Sequence, residues 1–253
     1  MPWLLLIASV LMIGLLSTSA VADDWASAIR INELETIRTL YPDKAEIDDP
    51  NEHGKTALMA AAAAGDLALF EELLAAGADP SAENHLGGTV LIYAAGSGSR
   101  EIVNRLLSEK VDLDSRASNG WSAVMMAAAK NEGALITLLC EAGASPNTPD
   151  IYSWTPLMRA VYENNAAAAH ALLAAPGIDV DLLNRNQQNA LHLAVIGGHA
   201  GMVEALLEHG VEQIVDANAH SPQSIARELG RDDLLQLLAK TDASEQKTSS
   251  ESG

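Results

Sequence analysis

One cysteine, one phenylalanine and fifteen basic residues among 253 positions set the first limits on this chain. The lone thiol, Cys140, excludes an intramolecular disulfide framework and any metal site built on several cysteines. With 15 Lys and Arg against 34 Asp and Glu, the formal charge is −19. Such a surface repels nucleic acid and anionic lipid, so no nucleic-acid partner is expected. The seven histidines include no H-E-x-x-H pair, and no G-x-S-x-G elbow occurs. Gly96-Ser97-Gly98-Ser99 lacks the lysine and the preceding strand of a phosphate loop. We therefore expect no catalytic residues, no cofactor, no metal and no enzymatic activity.

Charge is also absent from residues 1–22, where Trp3 to Leu16 is almost wholly apolar. Ala20-Val21-Ala22 follows as a small-x-small cleavage site, with Asp23 as the expected mature N-terminus. The run is short for a membrane span, which needs about 20 residues. A cleaved signal peptide over 1–22 is expected, with an uncleaved leader anchored in the inner membrane as the alternative. An exported chain with no disulfide framework looks like a bacterial periplasmic protein. No later stretch is long and apolar enough to insert in a membrane.

What the chain has is a period. Thr, Ser or Asn followed by an apolar pair and Ala returns at Thr56, Thr89, Ser122, Thr155, Asn189 and, in weaker form, Ser221. The steps are 33, 33, 33, 34 and 32 residues. Seventeen residues after each of the first five anchors comes a second apolar pair: Leu73-Leu74, Leu106-Leu107, Leu139-Cys140, Leu172-Leu173 and Leu206-Leu207. Self-similarity at one period means a stacked array in which no unit buries its apolar face alone. Small residues such as Ala60, Ala94 and Ala127 let first helices approach closely, while the Leu pairs of second helices fill the space between units. Cys140 takes a Leu position, which predicts a buried, inert thiol.

Thr56-Ala57-Leu58-Met59-Ala60-Ala61 and its five equivalents are similar to the ankyrin signature T-P-L-H-x-A. The chain thus resembles the ankyrin-repeat family. The expected fold is an all-α ankyrin-repeat solenoid of stacked helix-turn-helix units with finger loops, capped at both ends. Residues 23–48 form the N-terminal capping helices. Units follow at about 49–82, 83–115, 116–148, 149–183 and 184–213, with a C-terminal cap at 214–240 and a disordered tail at 241–253. Three departures carry expectations. Asn189 replaces the Thr that partners His192, so the family's Thr–His bond is expected to be absent. Ser153 and Gln187 replace finger glycines, which predicts differently shaped loops there. An extra residue near Pro176-Gly177 should bulge the fourth unit.

The resemblance implies that partners meet the fingers and the exposed side of the first helix. Trp121, Tyr152, Trp154 and Tyr162 fall there in two neighbouring units, at positions the repeat core does not need. Trp and Tyr are enriched at interface hot spots. Trp121 and Trp154 read equally well as struts leaning on the next finger. With Ile151, Glu163 and Arg185 they make the candidate partner-binding set. From Asp23 to Glu83 there are 14 acids against 4 bases. This excess reads either as solubility or as an acidic rim that orients a basic partner.

These features predict a non-catalytic periplasmic protein-binding scaffold, expected as a monomer. By the same resemblance the partner is an envelope enzyme of oxidative defence, of the catalase type. The alternative is an immunity or inhibitor protein that neutralises a secreted toxin or lipase.

Overall fold

Each repeat anchor does the same local job. In the computed structural model, which describes residues 25–40 and 47–239, every anchor is the N-cap of a helix. Thr56 Oγ1 accepts from Met59 N at 3.3 Å, Ser122 Oγ from Met125 N at 3.2 Å, and Asn189 Oδ1 from His192 N at 3.4 Å. These bonds satisfy backbone donors that a helix start leaves unpaired. The leader 1–22, the linker 41–46 and the tail 241–253 lie outside the described residues.

The helices so started are α3 (Ala57–Ala64), α5 (Val90–Ser97), α7 (Ala123–Ala129), α9 (Pro156–Tyr162), α11 (Ala190–Gly197) and α13 (Pro222–Glu228). Each of the first five is followed by an outer helix: α4 (Leu67–Ala75), α6 (Arg100–Ser108), α8 (Gly133–Glu141), α10 (Ala166–Leu173) and α12 (Ala200–Glu208). A last helical run at 232–239 packs Leu234 and Leu238 into the core. Two short helices precede the array, α1 (Trp25–Ile31) and α2 (Leu34–Leu40). They bury Trp25, Ala28, Ile29 and Ile37 against it, and Trp25 Nε1 donates to Asp49 O. Among the described residues there is no strand, only one isolated bridge between Glu83 and Thr89. The chain is an all-α solenoid.

Alanine explains the spacing of the inner layer. Ala60, Ala61, Ala94, Ala95, Ala127 and Ala128 are fully buried, so successive inner helices meet nearly backbone to backbone. Leu69, Phe70, Leu73, Ile102, Leu106, Leu135, Leu139, Leu172 and Leu206 fill the space under the outer helices. Cys140 is buried among them. Burial first, and the nearby Asp114 charge second, push its thiol up to about 11, so the reactive thiolate is suppressed.

One of the expected departures turns out otherwise. Ser153 and Gln187 hold φ 62° and 56°, close to Gly54 and Gly87 at 78° and 70°, so these fingers keep the common shape. An Asx latch overrides the missing glycine. Asp150 Oδ1 accepts from Tyr152 N and Trp154 N, and Asn184 Oδ1 from Asn186 N and Gln188 N, as Asn84 does for Leu86 N and Gly88 N. Neighbouring fingers are then joined by one backbone bond each, such as Ser118 N to Leu86 O at 2.7 Å and Ile151 N to Asn119 O at 3.1 Å.

The Thr–His bond is absent as such, yet His192 keeps a partner. Asn189 Oδ1 lies 2.7 Å from its Nδ1, so the longer amide takes the place of the threonine hydroxyl. The extra residue of the fourth unit is taken up after α10, where Ala174 to Gly177 make a longer turn and Gly177 O accepts from Asn147 Nδ2.

His192 is fully buried, and desolvation holds its pKa below the ordinary 6.5 despite the carbonyls of His220 and Ile214. Its folded pKa is therefore depressed. Above 6.5 the ring is neutral in both states; below it, the unfolded chain binds the proton first. Stability is expected to fall as pH drops from 7 toward 5. A His192→Gln variant should show a flatter slope in denaturant melts across that range. Parallel slopes would remove His192 as the source.

A candidate protein-binding face

The fingers and inner helices form one face. Five of the seven candidate residues stand out on it. Ile151, Tyr152 and Tyr162 are 43%, 59% and 50% exposed, and Glu163 and Arg185 are exposed beside them. The Arg185 guanidinium lies 5.6 Å over the Tyr152 ring, which joins the fourth and fifth fingers. Tyr152 and Tyr162 present large, stiff surfaces at low entropic cost, the property that makes such residues anchors.

Trp121 and Trp154 are half-buried, and a residue absent from the sequence-based set explains why. Arg159, on α9, places its guanidinium 5.2 Å from the Trp121 ring and 5.0 Å from the Trp154 ring. Two tryptophans one repeat apart leave about 10 Å between them, the spacing of packed helices, which one planar cation fills. Tyr162 closes the cluster edge-on to Trp154, with centroids 5.2 Å apart at 82°. The guanidinium also lies 3.6 Å from the buried Asp150 carboxylate and 3.6 Å from Glu163. Its Nε is buried without a hydrogen-bond partner. The arrangement is a brace that holds the third and fourth fingers rigid behind the exposed tyrosines. The signal was present in the sequence: Trp at one repeat position in two successive units, with Arg on the inner helix that follows the second.

Removing the brace should be measurable. Arg159→Ala is expected to cost about 1–2 kcal/mol, from two cation–π contacts and a less compensated Asp150. Arg159→Lys should recover little of it, since an ammonium cannot stack between two rings. Thermal melts of both variants check this; full rescue by lysine would mean that charge alone matters.

The charges separate by layer. Residues 51–65, 84–98, 117–130, 150–163 and 184–198 make up the fingers and inner helices of five units. They hold 4 bases (Lys55, Lys130, Arg159, Arg185) against 3 acids (Glu52, Asp150, Glu163), net +1. The intervening segments 66–83, 99–116, 131–149, 164–183 and 199–215 carry the outer helices and turns. They hold 4 bases against 16 acids, net −12. The acidic excess therefore lies on the outer layer, and an acidic rim around the inner face is not what the fold builds.

The candidate set also leaves out three apolar residues of the second and third units. Leu86 is 65% exposed at a finger tip, and Tyr93 and Met126 are half-buried on α5 and α7 behind it. Among the described residues no group of three or more His, Cys, Asp or Glu side chains could hold a metal ion. Among them, too, no helix is long and apolar enough to cross a membrane.

Comparison with known proteins agrees with this architecture. The family model described as ankyrin repeats (3 copies) matches residues 60–150, 91–184 and 157–249. Among curated proteins, the potassium channel AKT1 of Oryza sativa, in both the indica and japonica subspecies, is 41% identical over 66 residues. That stretch is 26% of this chain, and it spans only 7% of the channel. Among solved structures, similarity extends to a chain from the complex of the Bd0816 predatory endopeptidase of Bdellovibrio bacteriovorus with immunity protein Bd3460. The TM-score is 0.65 at 28% identity, covering 73% of this chain and 97% of the other.

Proposed function

Since the chain belongs to the ankyrin-repeat family, whose model covers residues 60 to 249, we propose that it grips a partner protein on the finger and inner-helix face. Ankyrin repeats are protein-interaction modules without catalytic function. The observation that carries the reading is the row of exposed apolar side chains on that face: Leu86, Ile151, Tyr152, Tyr162 and Ile196. Exposed apolar patches of this kind mark binding surfaces. The finger ladder and the Arg159 brace keep the face preorganised, which lowers the entropic cost of docking. The reading places the protein in the periplasm after removal of residues 1–22, in support of an envelope or oxidative-defence enzyme.

A second reading has its own support. Over 73% of its length the chain resembles the immunity protein of the Bdellovibrio complex, which is bound there to an endopeptidase. By that analogy this protein neutralises a secreted toxin, lipase or peptidase by covering its active site.

Capture of the partner separates the two. The chain, an Ile151→Glu/Tyr152→Glu/Tyr162→Glu variant and a Glu101→Lys/Glu204→Lys outer-layer control are immobilised and exposed to envelope extract. A protein kept by the parent and the control but lost from the triple variant is the expected result. Inhibition of that protein's hydrolytic activity at one-to-one stoichiometry would select the immunity reading. Unchanged activity of a defence enzyme would select the scaffold. Loss only from the outer-layer control would contradict both.

A further inference from the structure

An open groove of about 530 Å3 crosses the face between the second and third units. Leu86, Tyr93 and Met126 supply its apolar wall, and Lys130 stands at one margin. Through Leu86 and Tyr93 it runs on into a recess of about 380 Å3 toward the N-terminal cap, bounded by Arg30, His53 and Lys55. The Lys55 ammonium lies 5.3 Å over the Tyr93 ring, at the junction of the two.

The polar groups along this path are largely engaged within the fold. Asn84 Nδ2 donates to Tyr93 Oη at 2.8 Å, and Asn84 Oδ1 accepts from two finger amides. Ser118 N donates to Leu86 O, and Asn119 Oδ1 accepts from Trp121 N. What faces outward is apolar surface in the middle and cations toward the ends. One carboxylate, Glu52, flanks the recess, 3.6 Å from Arg30 and 3.6 Å from His53.

We propose that this groove seats an extended segment of the partner protein that is apolar along its middle and acidic at its ends. The inference rests on the reading that this face binds a protein, and it names the chemistry of what binds. The −12 of the outer layer does not oppose it. Arg30, Lys55 and Lys130 line the groove and its recess, whereas no outer-layer carboxylate does, and charges farther off are screened over about 8 Å at physiological salt. Locally, Lys55 and Lys130 decide the sign, and a basic segment would meet like charge there.

The test uses a display library of random 12-residue peptides selected on the full chain. Enriched peptides are expected to carry Leu, Phe or Trp at the centre and Asp or Glu toward the ends. Binding of a synthetic copy should fall about tenfold or more in Leu86→Glu/Met126→Glu, the loss expected from removing a buried anchor. It should fall about threefold in Lys130→Glu and weaken with added salt. Leu86 is 65% exposed, so the single Leu86→Glu variant is a control that folds. Tyr152→Ala/Tyr162→Ala should leave the peptide affinity unchanged. Basic enriched sequences, or acidic-apolar ones indifferent to the groove variants, would overturn the inference. So would enrichment lost only with Tyr152 and Tyr162, an outcome that leaves the protein-binding reading standing. A selection that yields no peptide counts against the groove, and capture of a whole partner on the same face then judges the broader reading separately.

Discussion

Asn189→Ala is expected to destabilise the fifth unit by about 2–4 kcal/mol, the sum of a lost helix cap of about 1 and buried groups left unpaired at about 1–3. One fully buried amide makes three connections. Its Oδ1 caps His192 N at 3.4 Å and lies 2.7 Å from His192 Nδ1, and its Nδ2 donates to Glu212 O at 2.8 Å. His192 Nε2 already lacks a partner, so truncation strands both ring nitrogens in the core. Asn189→Thr restores a capping oxygen that reaches His192, as in the family signature, and should recover most of the loss. The amide bond to Glu212 O stays broken, so recovery should be incomplete. Urea melts followed by far-ultraviolet circular dichroism measure both variants. Equal stability of Asn189→Ala and the parent would show that the His192 environment is not held by this residue.

Gly133→Ala should cost about 2–3 kcal/mol, near the top of the range for overpacking. Helix propensity predicts the opposite sign, since Ala exceeds Gly by about 1 kcal/mol inside a helix. Packing wins here. A Cβ on Gly133 would sit 2.4 Å from Ala167 O and 2.8 Å from Ala167 C, which are backbone atoms of the neighbouring outer helix. Relief requires α8 and α10 to separate, although the two helices pack together and Leu135, Leu139, Ala168 and Leu172 on them are all fully buried. The equivalent first-turn residues in the other outer helices are Leu67, Arg100, Ala166 and Ala200, so the close approach is peculiar to the third unit. A melting temperature at or above that of the parent would mean that the two helices slide apart freely.

The repeat itself was legible because period, caps and apolar pairs are one-dimensional signals. Thr56, Thr89, Ser122 and Thr155 do at each N-cap what a small hydroxyl at that spacing must do. The finger shape at Ser153 and Gln187 was misjudged because left-handed backbone was read from glycine alone. The latch that fixes it comes from Asp150 and Asn184, three residues earlier. That Asn189 replaces the Thr shows in the sequence, but that its amide, one atom longer, reaches the same nitrogen shows only in three dimensions. The charge layering was missed for a different reason. Counting acids along the chain from residue 23 to 83 mixes α4, on the outer layer, with the fingers. Sorting each repeat into its inner and outer halves separates net +1 from net −12.

The candidate face was half legible. The exposed tyrosines follow from aromatics placed where the core has no claim on them. Arg159 escaped notice because its position in the repeat holds Ala60, Tyr93, Met126 and Leu193 elsewhere, and a charge there reads as solvation. Only stacking shows that it fills the gap between Trp121 and Trp154. The groove beside Leu86 escaped because its wall is assembled across two units, Leu86 and Tyr93 from the second and Met126 from the third.

Site-specific photo-crosslinking in intact cells tests the central claim, that one face of the solenoid holds a protein. A photoreactive residue is placed in turn at Leu86, Met126, Tyr152 and Tyr162 on the inner face, and at Glu101, Glu141, Glu204 and Glu208 on the outer layer. The account predicts one crosslinked species of common mass from inner-face positions and none from the outer layer. Crosslinks of a single species confined to the outer helices would contradict it.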